Sequence, residues 1–215
     1  MTDAACLLVI AKAPVPGRVK TRLTPGFTPV QAAALAEAAL RDTLRTVCDC
    51  PARRRVLVLD GEAGDWLPEG VEVVPQRGDG LDERLGHAFG VDPGPCLLIG
   101  MDTPQVTPGL LAPVLAEDAW HDTDAWFGPA ADGGFWALGF ATPRPDLVRG
   151  VPMSRDDTGA VQRDRLVRAG LRVRDLPTLR DVDTPSDVAV VAAQARDGAF
   201  AAEADRIGAF VASRT

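Results

Sequence analysis

The stretch from Leu7 to Leu23, which reads LLVIAKAPVPGRVKTRL, constrains the fold more than any other part of the sequence. It begins with an uncharged aliphatic run, Leu7–Ile10, of the kind that forms a parallel strand buried on both faces. The prolines and the glycine that follow exclude both a helix and a regular strand, so the chain must turn there. Four cations lie on or beside this turn: Lys12, Arg18, Lys20 and Arg22.

We call residues 12–22 the cationic loop. Its positive charge predicts an anion-binding site, because the chain as a whole is acidic, with a formal net charge of −7 at pH 7. Phosphate is the expected anion, since it accepts both the point charge of lysine and the forked donors of arginine. The alternative interpretation is a solvated loop that is basic by chance. The acidic balance of the whole chain argues against a general nucleic-acid or membrane-surface binder. No apolar run approaches the ~20 residues that a membrane span requires.

The remainder of the sequence alternates between strand and helix patterns. Further strands are predicted at Arg55–Asp60, Val71–Gln76, Cys96–Asp102, Ala125–Pro129, Phe135–Phe140 and Leu171–Leu176. Helices are predicted after Thr28, Thr107 and Thr184, each followed by proline, at Leu81–Phe89 and Gly159–Ala169, and in the alanine-rich tail to Ser213. This alternation predicts an α/β fold: a single three-layer domain over residues 1–215 with a doubly wound, mostly parallel sheet.

The predicted topology also places a ligand crevice. In doubly wound sheets the crevice opens at the carboxyl ends of the strands, where the strand order reverses. Here the two strands beside that point would be Leu7–Ile10 and Cys96–Gly100. Asp102, at the end of the second of these, would then face the cationic loop across the crevice.

Two aspartates in similar settings predict a metal site. Asp102 and Asp183 each follow an apolar residue and precede Thr-Pro, although they lie far apart in the sequence. Two carboxylates that converge on a phosphate site need a cation between them. Mg²⁺ fits, because it prefers oxygen ligands and takes one or two carboxylates together with substrate phosphates. The alternative is that Asp181 and Asp183 only favour the N-terminus of the next helix.

Five segments in one order carry a resemblance to a known family. They are LLVIAKAPVPGRVKTRL, QRGDGLDERL, GMDTP, GPAADGGFWALG and DVDTPSD, which together span about Leu7 to Asp187. They resemble a bacterial family of glycosyltransferases, mostly assigned by similarity, within the nucleotide-diphospho-sugar transferase superfamily. More distantly, the chain is similar to 2-phospho-lactate guanylyltransferase and molybdenum-cofactor guanylyltransferase. The resemblance implies a Rossmann-like, GT-A-like fold. A cytoplasmic location is expected from the cysteines, because they form no CxxC pair and Cys6 and Cys96 lie in predicted strands, as core thiols of a reducing cytosol would.

The resemblance also implies roles for individual residues. The nucleotide phosphates would be held by Ala11, Lys12, Gly17, Arg18, Lys20 and Arg22, of which Lys20 and Arg22 would act in catalysis together with Asp102. Gln76 and Gly80 would contact the base, and Asp102 and Asp183 would bind Mg²⁺ or Mn²⁺. The acceptor side would contain Asp132, Gly133, Gly134 and Thr158. The sequence departs from the family pattern in lacking the glycine-rich first loop of typical nucleotidyltransferases and in having a single aspartate in place of a DxD motif.

The expected function is therefore metal-dependent transfer from a nucleotide-activated donor to a small-molecule acceptor. Glycosyl transfer from a nucleotide-sugar is favoured by the family, whereas the cluster of cations favours a nucleoside triphosphate and hence nucleotidyl transfer. A catalytically silent nucleotide-binding protein is the third interpretation. The sequence contains no GxxxxGK[ST] P-loop, no GxGxxG after the first strand and no GxSxG elbow, which argues against the corresponding enzyme classes.

Overall fold

The computed structural model describes residues 4–24 and 26–208. Within these residues the strands are β1 (Cys6–Lys12), β2 (Arg54–Asp60), β3 (Glu72–Pro75), β4 (Cys96–Gly100), β5 (Ala125–Pro129), β6 (Phe135–Phe140) and β7 (Val173–Asp175). The α-helices are α1 (Pro29–Asp49), α2 (Leu81–Ala88), α3 (Pro108–Leu115), α4 (Thr158–Arg168), α5 (Pro185–Gln194) and α6 (Ala199–Arg206). Short 3₁₀ turns lie at Thr21–Leu23 and Pro145–Leu147. No helix in the described part of the chain is long and apolar enough to cross a membrane.

The strands form one sheet in the order β3-β2-β1-β4-β6-β5-β7. β6 runs antiparallel to both of its neighbours, and every other pairing is parallel. The prediction of an α/β fold with a mostly parallel, doubly wound sheet is therefore confirmed. Because β6 is reversed, its first residue lies at the same edge of the sheet as the last residues of β1 and β4, so the β5–β6 connection reaches the predicted crevice.

The core lies on both faces of the sheet. In β1, Leu7 and Val9 pack with α1 on one face, whereas Cys6 and Leu8 pack with α2 and α4 on the other. All four are fully buried, as predicted for a parallel strand covered on both sides. Cys6 pairs in register with Cys96 of β4, and burial raises the pKa of each thiol to about 12, so both are inert core residues.

The helix starts follow the sequence signals closely. Thr28 forms a complete capping box with Gln31, and the Thr107 side chain accepts a hydrogen bond from the Leu110 amide. Several predicted elements were too long. β4 ends at Gly100 rather than at Asp102, β3 and β7 are each shorter than predicted, and α6 ends at Arg206. The part of the predicted tail helix beyond residue 208 lies outside the described residues.

Candidate functional site

A broad crevice lies at the carboxyl ends of β1 and β4, where the strand order reverses, as the sequence predicted. Its volume is about 1080 Å³, close to the upper end of the range of small-molecule sites. The cationic loop after β1 forms one wall. The segments around Asp102 and Asp183 and the β5–β6 connection form the others.

The cationic loop contains two residues in the left-handed region of backbone conformation. Gly17 has φ +77°, which costs glycine little, but Lys20 has φ 49° and carries a full side chain. The Lys12 and Arg18 side chains line the crevice and are exposed, and neither forms an ion pair with any residue of the described ranges. The loop therefore presents two cations to the crevice that have no anionic partner among these residues.

The two predicted metal ligands converge because the backbone joins their segments directly. The Val182 amide donates to the Asp102 carbonyl at 3.0 Å, which places the residue after Val182 beside the end of β4. The segment then turns into α5, where the Asp187 carboxylate accepts from the Thr184 amide at 2.8 Å. This α5 cap fixes where the Asp183 side chain leaves the backbone.

The cation that lies between the two carboxylates is the ammonium of Lys20. Lys20 Nζ is 2.9 Å from Asp102 Oδ1 and 3.1 Å from Asp183 Oδ1, and it donates to the Val182 carbonyl at 2.5 Å. Its side chain is only 9% exposed. Burial alone would lower the pKa of Lys20, but the two carboxylates outweigh this effect and raise it, so the ammonium stays charged. Arg22, by contrast, is largely exposed and reaches Asp183 at 3.3 Å.

A third carboxylate, Asp181, also lines the crevice. Its Oδ1 atom is buried and has no hydrogen-bond partner among the described residues. Burial, together with the nearby charges of Asp102, Asp132 and Asp183, raises its pKa to about 7. Lys20 and Arg22 form ion pairs with Asp102 and Asp183, whereas Asp181 forms no ion pair with any of the described residues.

On the opposite side of the crevice, Gln76 is already engaged with the backbone. Its Nε2 donates to the Ala11 carbonyl at 2.7 Å and to the Val58 carbonyl at 3.1 Å, so the side chain ties β1 and β2 to the residues after β3. Its carbonyl oxygen lies 3.5 Å from Arg84. Arg84 also pairs with Asp60 at 2.9 Å, and the Gln76 and Arg84 side chains form one end of the crevice.

The β5–β6 connection packs directly on the segment that precedes α4. Gly133 has φ +91°, and a Cβ there would lie 1.8 Å from the Asp156 carbonyl oxygen. The Gly159 amide also donates to the Gly133 carbonyl at 2.8 Å. Glycine at position 133 is therefore explained by contact with the protein's own backbone. Asp132 lines the crevice, and its carboxylate accepts from the Gly134 amide at 2.9 Å.

Most of the residues predicted from sequence line the crevice together. These are Ala11, Lys12, Arg18, Lys20, Arg22, Gln76, Asp102, Asp132, Gly134, Thr158 and Asp183. Gly17, Gly80 and Gly133 lie outside the lining. The Thr158 hydroxyl is used within its own loop, since it donates to the Pro152 carbonyl at 2.9 Å and accepts from the Arg155 amide at 3.1 Å.

Asp181, Arg84 and Arg155 line the crevice but were not predicted as site residues. A signal for Asp181 was present, because it lies two residues before Asp183 on the other side of the buried Val182. Side chains two residues apart in an extended segment point to the same side. No sequence pattern distinguishes Arg84 and Arg155 from the many other arginines of the chain, most of which form surface ion pairs.

A family profile described as "Uncharacterized protein conserved in bacteria (DUF2064)" matches residues 35–155, more than half of the chain. The cationic loop and the Asp181–Asp183 segment lie outside this match. The structure is also similar to that of a candidate nucleotide-diphospho-sugar transferase from Desulfovibrio desulfuricans. The sequences are 30% identical, the match covers 86% of this chain and 84% of the other, and the TM-score is 0.76.

More distant structures share the fold. The 2-C-methyl-D-erythritol 4-phosphate cytidylyltransferase of Thermus thermophilus is 19% identical over 90% of this chain and 98% of its own, with a TM-score of 0.54. Rv0371c of Mycobacterium tuberculosis, solved in complex with manganese, is 23% identical over 89% and 98% of the two chains, with a TM-score of 0.51. No curated protein matches the sequence.

Proposed function

Because the chain belongs to the bacterial DUF2064 family, within the nucleotide-diphospho-sugar transferase superfamily, we propose that it is a metal-dependent transferase with a nucleotide-activated donor. The reaction we infer is glycosyl transfer from a nucleotide-sugar to a small acceptor. The observation that carries the proposal is the composition of the crevice, whose lining contains exposed cations of the loop together with the carboxylates of Asp102, Asp181 and Asp183.

The carboxylate cluster fits a divalent cation. Asp181 offers a buried oxygen without a hydrogen-bond partner among the described residues, and Asp102 and Asp183 lie on either side of one shared position. Within the described ranges, no three histidine, cysteine or acidic side chains form a complete metal site by themselves. An ion bound here would therefore need waters and substrate phosphates as further ligands, and Mg²⁺ accepts both. Such an ion would offset the negative charge that develops on the departing nucleoside diphosphate.

The protein's own cations fit the diphosphate of a nucleotide-sugar. Lys12 and Arg18 are the two lysine or arginine side chains of the cationic loop that have no ion pair among the described residues. Two such charges match the two phosphates of a sugar donor, and each contact would be charge-assisted. They would orient the donor with its base toward the Gln76 end of the crevice and its sugar toward Asp132.

The β5–β6 connection forms the wall where the acceptor would bind. Its position is fixed, because Gly133 packs against the Asp156 backbone and Gly159 bonds to the same turn. The Asp132 carboxylate is on the crevice side of this fixed turn, where it accepts a hydrogen bond from the Gly134 amide. A further hydrogen bond from an acceptor hydroxyl to this carboxylate would hold that hydroxyl in position.

Nucleotidyl transfer is the second candidate, and one observation favours it. Together with Lys12 and Arg18, the Lys20 and Arg22 side chains make four cations on or beside the loop. Four cations are more than a diphosphate needs and suit the greater negative charge of a triphosphate. They are, however, paired with Asp102 and Asp183, and the triphosphate would have to displace them from these carboxylates. A nucleotide-binding protein without activity is the third candidate.

Product analysis separates these candidates. The purified protein is incubated with Mn²⁺ and a panel of nucleotide-sugars or nucleoside triphosphates, with sugar and sugar-phosphate acceptors, and products are followed by ³¹P NMR. The proposal predicts a nucleoside diphosphate released from a nucleotide-sugar, and its loss in Asp102→Asn. Pyrophosphate released from a triphosphate would replace glycosyl with nucleotidyl transfer. Binding without either product would favour the inactive candidate.

A further inference from the structure

The ammonium of Lys20 is surrounded by oxygen atoms as a bound cation would be. Three oxygens, from Asp102, Asp183 and the Val182 carbonyl, lie within 3.1 Å of it. The ammonium donates hydrogen bonds to the Val182 carbonyl and to Asp183, and its contact with Asp102 is an ion pair at 2.9 Å. All three oxygens belong to segments outside the cationic loop, one after β4 and the other before α5. The Lys20 side chain therefore joins the loop to both segments.

The backbone at Lys20 supports this arrangement. Lys20 and Ser154 are the non-glycine residues of the described ranges that have positive φ, at 49° and 59°. This region is unfavourable for a residue with a Cβ, and it persists where surrounding contacts hold it. At Lys20 these contacts include those of the side chain with the two carboxylates and the hydrogen bond from the Leu23 amide to the Lys20 carbonyl at 3.0 Å.

A divalent ion and the ammonium cannot share the position between the carboxylates. An ion bound to Asp102 and Asp183 would lie within a few ångströms of Lys20 Nζ, and two cations at that distance repel strongly when water is largely excluded. The side chain must therefore leave before a metal ion can bind both carboxylates. Lysine has a flexible four-carbon stem, and Lys20 already lines the crevice, so its ammonium can reach an anion bound there.

We propose that Lys20 acts as an internal cation that occupies the metal position of the free protein, so that a divalent ion binds only together with a phosphate ligand that draws the ammonium away. The inference rests on the proposed metal site and adds that the metal ion binds there only together with a phosphate ligand. Free metal ions are excluded, whereas a metal–phosphate complex supplies both the ion for the carboxylates and the anion for Lys20. Lys20 then contributes to donor binding in the way the sequence resemblance implies.

The test measures Mn²⁺ alone, by the electron paramagnetic resonance signal of the free ion during titration of the full chain. Wild type is compared with Lys20→Met and Lys20→Gln, and with Lys12→Met as the control that removes the same charge from the same wall. We expect both Lys20 variants to bind Mn²⁺ about ten- to a hundredfold more tightly than wild type, the effect of removing one charge-assisted contact. Lys12→Met should stay within a fewfold of wild type.

A second arm uses the preformed complex of Mn²⁺ with inorganic pyrophosphate, measured by calorimetry. Wild type should bind this complex although it binds Mn²⁺ alone weakly. Equal Mn²⁺ affinity of wild type and both Lys20 variants, or an equal gain in Lys12→Met, would overturn the internal-cation role. If both Lys20 variants unfold, folding restored by Mn²⁺ supports the role and unfolding that Mn²⁺ does not reverse refutes it. Tight Mn²⁺ binding by the variants without any binding of the pyrophosphate complex to wild type would overturn the proposal that a phosphate ligand draws the ammonium away, whereas the metal site of the proposed function would stand.

Discussion

The unpartnered carboxylate of Asp181 should make the metal-free protein less stable as the pH rises. In the unfolded chain this carboxyl releases its proton near its usual pKa of 3.8, whereas in the folded protein the pKa is raised to about 7. Between these values the folded state binds more protons, so the free energy of unfolding falls as the pH rises from about 4 to 7. At about one pH unit above the folded-state pKa the loss is nearly complete.

The size of the effect follows from the same two values. Each unit of pKa difference corresponds to about 1.4 kcal/mol, so a difference of about 3 units is worth about 4 kcal/mol at most. Asp181→Asn removes the ionisation and keeps the shape. Allowing for partial hydration of the side chain, we expect the variant to be about 2–4 kcal/mol more stable than wild type at about pH 8. For a chain of this length that raises the melting temperature by roughly 4–16 °C.

The assay is thermal or urea unfolding in EDTA at several pH values between about 4.5 and 8.5, the range that contains the folded-state transition. Asp79→Asn is the matched control, because it removes the same charge from an exposed side chain that also lines the crevice. Wild type and Asp79→Asn should lose stability over this range, and Asp181→Asn should lose much less. If Asp181→Asn were no more stable than wild type at the alkaline end, or had the same pH dependence, Asp181 would not be an uncompensated carboxylate.

Three further predictions concern the crevice. Arg18→Ala should weaken binding of a nucleoside diphosphate by about 1.5–3 kcal/mol, measured by calorimetry, and leave the melting temperature unchanged, because one charge-assisted contact is lost from an exposed side chain. Asp102→Asn should fold with a loss of no more than about 1 kcal/mol, since Lys20 keeps its other partners, yet it should lose Mn²⁺-dependent product formation. Gly133→Ala should be destabilised by well over ~2 kcal/mol in urea unfolding, because its Cβ would lie 1.8 Å from the Asp156 carbonyl oxygen. Gly17→Ala is the control, since it has a similar φ and nothing within 4 Å, so it should lose only about 1 kcal/mol.

The position of the crevice could be predicted from the sequence because the alternation of strands and helices implies a mostly parallel sheet, in which the carboxyl ends of the strands lie at one edge. The buried run at the start of β1, the Thr-Pro helix starts and the alternation of elements determine which ends of which strands meet. These signals are sufficient to predict that Asp102 and the segment of Asp183 converge. The hydrogen bond from the Val182 amide to the Asp102 carbonyl is the contact that brings this about.

The partners of individual side chains could not be predicted, because they depend on contacts between residues far apart in the chain. From the sequence, Lys20 was predicted to be one of the phosphate-binding cations. The residues beside it in the sequence do not show that its ammonium bonds to residues more than 160 positions away. The same holds for Gln76, whose amide is used by two strand carbonyls, and for Gly133, whose neighbour is the Asp156 backbone. Sequence patterns identify which groups reach the crevice, and tertiary packing decides which of them remain free for a ligand.

The most direct test of the central claim is to locate the metal and the nucleotide in the crevice. Crystals of the protein grown with Mn²⁺ and a nucleoside diphosphate give the position of the ion from its anomalous scattering. We predict one manganese peak in contact with Asp102 and at least one of Asp181 and Asp183, with the phosphates on the side of Lys12 and Arg18. A nucleotide bound elsewhere, or a manganese ion away from these three aspartates, would contradict the proposed site.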